Sequence, residues 1–174
     1  LVNMLIWGHR GCRTIPGIDE NTIQAFEWAI SKGADGLEFD VQVSADGIPV
    51  VFHDETTKRL AFNSEDRSVQ SLTWQELQTI KLLEGSQAPM LIDMAPFADK
   101  VLMNLEIKTI EAVPSVVEFL RGQTRTQWVI SSFIFEALNT VRAALPTLTI
   151  GYLLERQDSE TIDSCLARAR EEIR

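Results

Sequence analysis

Several residue types on which whole protein classes depend are scarce in this chain. The two cysteines in 174 residues, Cys12 and Cys165, lack metal-ligand spacing and do not suggest a disulfide framework. No apolar run is long enough to cross a bilayer, and no segment has the basic lead and apolar length of a signal peptide. We therefore expect a cytoplasmic protein without a transmembrane segment.

Positive charge is scarce as well. The chain has 16 Lys and Arg against 25 Asp and Glu, which gives a formal net charge of -9 at pH 7. Because phosphate backbones are bound through clustered Lys and Arg, nucleic acid is not an expected partner. A small phosphate-containing substrate would need a local cation, supplied by a metal ion or by a few basic side chains.

Residues 36–54, GLEFDVQVSADGIPVVFHD, are typical of two strands joined by an Asp-Gly turn. Successive side chains of a strand alternate faces, so Glu38, Asp40 and Gln42 share one face and apolar side chains take the other. Two carboxylates side by side on a half-buried strand repel each other and lose hydration. This pattern favours a divalent metal between them, although a solvated edge strand would show it too.

The pattern returns in residues 101–108, where Asn104, Glu106 and Lys108 alternate with apolar residues in NLEIK. A second strand of this kind favours a metal site built from two strands. Lys108 would bind substrate there or simply neutralise Glu106.

Strands and helices alternate along the chain, which predicts a parallel α/β fold. We expect a helix over residues 21–32, begun by a capping box of Asn21 and Gln24, with Gly33 at its end. Residues 56–88 are polar and irregular and are interpreted as an insertion. The other expected strands are 4–7, 101–108, 128–131 and 148–152, and the other long helices are 114–122, 133–145 and 158–173.

The polar residues at the ends of these strands select a TIM (β/α)8-type barrel, in which the carboxyl ends of the strands form the catalytic face. No GxGxxG loop supports a doubly wound sheet instead. A complete barrel takes about 250 residues, so we expect a single domain over residues 1–174 that covers about six of the eight βα units. Exposed edges on the first and sixth strands would allow self-association.

The only two histidines, His9 and His53, each follow a predicted strand at the same end of the sheet. This placement favours a pair of acid-base catalysts over structural roles. Asp54 is either a neighbour of the metal or a residue that holds its loop. Glu20 and Asn21 are interpreted as helix-start residues, with any role in the site secondary.

The motifs HRG, ENTIQAF, GADGLEFDV, DGIPVVFHD followed by Arg59, LEIK, SSF and IGYLLE, in this order, resemble the glycerophosphodiester phosphodiesterase family. The resemblance implies a TIM barrel that uses a divalent cation to hydrolyse glycerophosphodiesters to glycerol 3-phosphate and an alcohol. Asp19, where the family usually has Pro, and Thr57, where Leu is common, depart from the pattern. The resemblance further implies catalytic His9 and His53, metal ligands Glu38, Asp40 and Glu106, and basic residues Arg10 and Lys108 around the phosphate.

Hard carboxylate ligands favour Mg²⁺ or Ca²⁺. Two imidazoles can divide the proton transfers of phosphodiester hydrolysis between them, one as base and one as acid. Two alternatives remain open at this point. One is a related phospholipase D or lyase that acts on lysophospholipid or sphingolipid, and the other is an inactive phosphodiester-binding module.

Overall fold

A computed structural model describes residues 4–123 and 128–172 of the chain. The strands are β1 (Trp7–His9), β2 (Gly36–Val43), β3 (Pro49–Val51), β4 (Leu102–Ile107), β5 (Trp128–Ser132) and β6 (Thr149–Tyr152). The α-helices are α1 (Ile23–Ser31), α2 (Trp74–Leu77), α3 (Val113–Arg121), α4 (Phe135–Ala144) and α5 (Ile162–Glu172), and short 3-10 helices cover Val69–Ser71, Leu91–Phe97 and Ile110–Ala112. None of the described helices has the length and apolar character needed to span a membrane.

A parallel sheet in the order β1-β2-β4-β5-β6 forms the centre of the molecule. This confirms the α/β class predicted from the alternation of elements. Over the described ranges β1 and β6 lie at the two ends of the strand order, so the edges fall on the strands where they were expected. In β2 and β4 the register pairs Asp40 with Glu106, which places the two predicted carboxylate strands side by side.

β3 does not join this parallel set. It pairs antiparallel with β2, with Val41 opposite Val51, and residues 44–48 connect the two strands. A parallel connection needs about a dozen residues or more, so this connection permits only a hairpin. Of the six strands, β3 is therefore the one that does not begin a parallel βα unit. The hairpin brings the chain back along β2, where the Phe52 N–H donates to the Asp40 carbonyl over 3.0 Å.

Helix α1 begins at a different cap from the one expected. Thr22 is the N-cap, and its hydroxyl accepts from the Ala25 N–H over 3.3 Å. The predicted capping box of Asn21 and Gln24 is wrong because Asn21 lies one residue earlier, with a φ of 55°. Gly33 follows the helix with a φ of 87°, the left-handed conformation expected of a residue that ends a helix.

Apolar packing fixes which face of β2 carries the polar side chains. Leu37, Phe39 and Val41 are fully buried, as the alternating pattern predicted. Phe39 packs edge-to-face against Phe26 of α1 and Trp128 of β5. A slip of one residue would turn this apolar set to the other face, so its burial specifies the orientation of Glu38 and Asp40.

Residues 56–88 form a second apolar cluster of their own. Leu60, Val69, Leu72 and Leu77 are buried there together with Phe52, which follows β3. The segment is thus packed onto the hairpin rather than onto the parallel sheet. This arrangement is compatible with an insertion, while the boundaries of the insertion and of the single domain stay predictions.

Candidate active site

The structure brings together the three residues predicted to bind a metal. Glu38 and Asp40 alternate along β2, and Glu106 stands opposite Asp40 on β4. One carboxylate oxygen from each residue lies within 4.8 Å of the other two. We call these three side chains the carboxylate cluster.

The side chains of Lys108, Arg10 and Asn21 contact Asp40 and Glu106 of the carboxylate cluster. Lys108 Nζ donates to Glu106 Oε1 over 2.8 Å and lies 3.7 Å from Asp40 Oδ1. Arg10 Nε lies 3.3 Å from Asp40 Oδ2, which also accepts from Asn21 Nδ2 over 2.9 Å. Asp40 is 1% exposed, yet its Oδ1 has no hydrogen-bond partner. Apart from the Lys108 ammonium at 3.7 Å, this buried oxygen has no partner, and a bound cation would satisfy it.

The raised pKa of Glu38 indicates that the carboxylate cluster has too little positive charge around it. Burial and, to a smaller extent, the charge on Asp40 together raise the pKa of Glu38 to about 8, against a hydrogen bond from the Arg10 backbone N–H that lowers it. That N–H donates to Glu38 Oε2 over 3.0 Å. Three carboxylates that can each offer an oxygen, one buried oxygen without a hydrogen bond and one carboxyl with a raised pKa together fit a divalent cation, whose charge would favour the ionised form of Glu38.

Arg10 is turned toward carboxylates on two sides. Its φ of 53° lies in the left-handed region, and its carbonyl accepts from the Asn21 N–H over 2.9 Å. The guanidinium is buried between Asp40 and Glu20, donating to Glu20 Oε1 over 2.9 Å. Its predicted contact with a phosphate stays a prediction, as does that of Lys108, whose side chain is 20% exposed.

His9 is the last residue of β1 rather than part of the loop that follows. Its Nε2 lies 3.6 Å from Glu38 Oε2, and 56% of its side chain is exposed. Partial burial and the neighbouring Arg10 lower the pKa of His9, which favours the neutral imidazole. The ring is therefore accessible, next to the carboxylate cluster, and able to accept a proton at neutral pH.

His53 follows β3 and is held more firmly. Its Nδ1 lies 2.6 Å from Asp54 Oδ1. Gln42, on the same face of β2 as Glu38 and Asp40, donates from Nε2 to the carbonyls of Phe52 and Asp54 over 3.1 and 2.6 Å. Gln42 thus fixes the backbone on both sides of His53. The alternation of β2 placed Gln42 on this face, but nothing in the sequence showed its partners.

Beyond His53 lies a set of ion pairs that the sequence did not predict. Arg59 Nε donates to Asp54 Oδ2 over 2.6 Å, and Arg59 Nη2 donates to Glu20 Oε1 over 2.6 Å. Burial works to raise the pKa of Asp54, but hydrogen bonds from Arg59 and His53 outweigh it and lower this pKa to about 2. We call Glu20, Asp54, Arg59 and the shared Arg10 the ion-pair network. Beyond the roles considered for them from the sequence, Asp54 and Glu20 are therefore both carboxylate partners of Arg59.

Asp19 attaches the loop before α1 to the second apolar cluster. Its carboxylate accepts from the backbone N–H of Glu84 at 3.1 Å from both oxygens, and from that of Ser86 at 3.2 Å. Asp19 is 4% exposed. The departure from the family pattern noted at this position thus supplies three acceptor contacts that a proline cannot make.

Residues 9–173 match the sequence profile of the Glycerophosphoryl diester phosphodiesterase family. The chain belongs to this family. The resemblance inferred from the motifs is therefore confirmed, and it extends over nearly the whole length of the chain.

Curated relatives carry the same family name. The chain is 35% identical over 167 residues to the glycerophosphodiester phosphodiesterase of Caldanaerobacter subterraneus subsp. tengcongensis, covering 87% of this chain and 67% of that protein. The glycerophosphodiester phosphodiesterase of Bacillus altitudinis is 28% identical over 169 residues, covering 85% of this chain and 65% of that protein. The chain thus spans about two thirds of the length of these two relatives. The predicted enzyme class, glycerophosphodiester phosphodiesterase, is the class for which both are named.

Solved structures of the family share the fold. The glycerophosphodiester phosphodiesterase of Thermotoga maritima superposes with a TM-score of 0.75 at 31% identity, covering 98% of this chain and 71% of that one. A phosphodiesterase of Oleispira antarctica, solved in complex with the product sn-glycerol-3-phosphate, superposes with a TM-score of 0.81 at 25% identity. The match covers 97% of this chain and 72% of that one. These similarities confirm the predicted TIM-barrel fold class, of which the described residues form an open part.

Proposed function

We propose that this chain carries the catalytic face of an enzyme that hydrolyses glycerophosphodiesters to glycerol 3-phosphate and an alcohol. The observation that carries the proposal is the carboxylate cluster with an accessible His9 beside it. The product complex of the Oleispira antarctica relative supports a glycerol phosphate as one half of the substrate.

Glu38, Asp40 and Glu106 would hold one divalent cation, Mg²⁺ or Ca²⁺, through carboxylate oxygens. When bound, such a cation offsets the charge of the phosphodiester and polarises its oxygens. The absence of a hydrogen bond to the buried Asp40 Oδ1 and the raised pKa of Glu38 support this assignment.

His9 and His53 would transfer the protons. A phosphodiester needs a proton removed from the attacking oxygen and a proton supplied to the leaving oxygen, and in-line displacement places these oxygens on opposite sides of phosphorus. The two histidines come from different elements, β1 and the end of the β2-β3 hairpin, which suits one imidazole on each side. The lowered pKa of His9 supports a neutral ring that accepts a proton.

Lys108 and Arg10 would offset the remaining negative charge of the phosphate. Both side chains carry positive charge to the edge of the carboxylate cluster, Lys108 from β4 and Arg10 from the loop after β1. Lys108 is the more exposed of the two and the better placed to contact a small substrate directly.

Two further expectations belong to this proposal. A cytoplasmic location is compatible with Cys12 and Cys165, which are free and buried. Self-association through the edges of β1 and β6 stays a prediction, which size-exclusion chromatography of the 174-residue chain would test.

The test is hydrolysis of glycerophosphocholine, followed with and without EDTA. We expect His9→Ala and His53→Ala each to lower kcat by about 10²-fold or more while calorimetric titration shows unchanged Mg²⁺ binding. Glu38→Gln should weaken Mg²⁺ binding, whereas Asp66→Asn, a control at an exposed carboxylate paired with Lys58, should not. Near-parental rates in both histidine variants would remove the acid-base assignment, and parental Mg²⁺ affinity in Glu38→Gln would remove the metal assignment.

A further inference from the structure

Arg59 links two carboxylates through four hydrogen bonds. Nε and Nη2 donate to Asp54 Oδ2 and Oδ1 over 2.6 and 3.0 Å, and Nη1 and Nη2 donate to Glu20 Oε2 and Oε1 over 3.1 and 2.6 Å. Each carboxylate is thus held at both oxygens. Bidentate pairs of this kind restrict geometry in a way that a single lysine ammonium cannot.

At Glu20, the contacts of Arg59 are anchored in the interior of the protein. The Glu20 side chain is 3% exposed and also binds Arg10, whose Nε reaches Asp40. The Arg59 side chain itself is 43% exposed. Arg59 is therefore the outer member of a continuous set of contacts between the loop of His53 and the carboxylate cluster.

The Asp54 carboxylate determines which nitrogen of the His53 ring carries the proton. Asp54 remains ionised to low pH, so its Oδ1 accepts the hydrogen bond and His53 Nδ1 carries the proton. The lone pair is then on Nε2, on the opposite side of the ring. Because Arg59 holds both oxygens of Asp54, the carboxylate cannot rotate away and release the ring.

We propose that Arg59 is a positioning residue for His53, which keeps that ring in one orientation with the proton on Nδ1 and the lone pair on Nε2. The inference rests on the proposed function in one respect only, namely that His53 takes part in turnover. The placement of the proton is a property of the folded chain and does not depend on it.

Two other roles for Arg59 make different predictions. A residue that only attaches residues 56–88 to the loop before α1 would affect stability without a selective effect on kcat. A residue that binds the phosphate would raise KM when it is removed. A positioning residue lowers kcat and leaves KM nearly unchanged, because the altered proton transfer matters mainly in the transition state.

The kinetic test compares Arg59→Gln with Arg67→Gln on glycerophosphocholine with Mg²⁺. Arg67 is a matched control because it lies in the same segment, is 39% exposed and pairs with Glu65 and Glu76. We expect Arg59→Gln to lower kcat about 10-fold or more with KM within about threefold, Arg59→Lys to recover part of the loss, and Arg67→Gln to remain near parental. Equal losses in Arg59→Gln and Arg67→Gln, or a rise in KM alone, would overturn the inference.

The spectroscopic test reads the proton on His53 directly. The chain has two histidines, so two-bond ¹H–¹⁵N correlation spectra contain two imidazoles, and His9→Gln assigns them. We expect His53 in the parent to show the tautomer protonated on Nδ1, and Arg59→Gln to shift it toward a mixture. Arg67→Gln should leave it unchanged.

These spectra separate the inference from the proposed function. Absence of hydrolysis in the parent would count against the proposed function, while the tautomer would still decide the role of Arg59. An identical His53 tautomer in the parent and in Arg59→Gln would overturn the inference even in an active enzyme. If Arg59→Gln does not fold, Arg59→Lys carries both measurements, with smaller changes in the same direction.

Discussion

The carboxylate cluster and the ion-pair network are neighbours that both contain buried or half-buried carboxylates, yet the pKa values of these carboxylates shift in opposite directions. In the ion-pair network, Arg59 and His53 lower the pKa of Asp54 to about 2 against the effect of burial. In the carboxylate cluster, burial and like charge raise the pKa of Glu38 to about 8. The network contains its own counter-charges, whereas the cluster is short of positive charge, which is the expected state of a site whose cation comes from outside the chain.

The largest expected effect on stability comes from removing charge from the ion-pair network. Glu20→Gln leaves the buried Arg10 guanidinium without its closest carboxylate, and we expect the free energy of unfolding to fall by about 3 kcal/mol. Urea denaturation at pH 7 measures this change. Asp66→Asn, which removes an exposed partner of Lys58, is the control and should change stability far less. Equal effects of the two substitutions would show that the network is no more than a surface ion pair.

The same substitution in the carboxylate cluster should have the opposite sign. In metal-free protein the folded state keeps a proton on Glu38 up to a pKa of about 8, whereas the unfolded chain releases it near 4.5. Stability contributed by this group is therefore lost as pH rises between these two values. Glu38→Gln should raise the free energy of unfolding at pH 8 by about 2 kcal/mol. This is less than the free energy that corresponds to the whole pKa shift, because part of the side chain is exposed to solvent.

Denaturation in EDTA at pH 4.5 and pH 8 checks this prediction. The gain from Glu38→Gln should appear at pH 8 and nearly vanish at pH 4.5. With Mg²⁺ in place of EDTA the parent should gain more stability than the variant, because the cation replaces the missing charge. A parent whose stability does not decline between these two pH values would contradict the reading of the cluster as short of charge.

The smallest expected effect lies at Asp19, where the loop before α1 meets the second apolar cluster. Asp19→Asn keeps the size of the side chain but replaces one of two acceptor oxygens by a donor. We expect a loss of about 1 kcal/mol in the free energy of unfolding, from weakened contacts with the backbone N–H of Glu84 and Ser86. Amide hydrogen exchange at these two residues should accelerate in the variant. Unchanged exchange at both would show that Asp19 does not hold the segment.

The carboxylate cluster could be predicted from the sequence because the alternation within each strand fixes the face on which its side chains lie, and parallel strands end at the same edge of the sheet. The alternation of β2 and β4 assigns faces to Glu38, Asp40 and Glu106, and burial of the apolar face makes that assignment firm. The antiparallel course of β3 could also have been read, since a connection as short as residues 44–48 excludes a parallel crossover.

The ion-pair network could not be predicted in the same way because its residues lie outside regular strands and helices, where no repeating pattern assigns a face to a side chain. Glu20 and Arg59 are 39 residues apart, and no periodicity connects a loop before a helix with a residue in an insertion. The contact of Asn21 with Asp40 could not be predicted for a related reason. Its chemistry suits a helix cap, and only the structure shows that Thr22 caps α1 while Asn21 binds Asp40.

Because β2 and β3 form a hairpin, the chain should tolerate an insertion before β3, at the turn, better than an insertion after β3, next to His53. Residues added at the tip, beside Ala45 or Gly47, disturb the hydrogen bonds of these residues with Leu72 and Ser115 but lie beyond the last paired residues, so Val41 stays opposite Val51. One residue added between Val51 and His53 would reverse the face of the imidazole, because side chains alternate along an extended chain. Natural or engineered variants of this hairpin should therefore vary in length at the tip and hardly at all between β3 and His53.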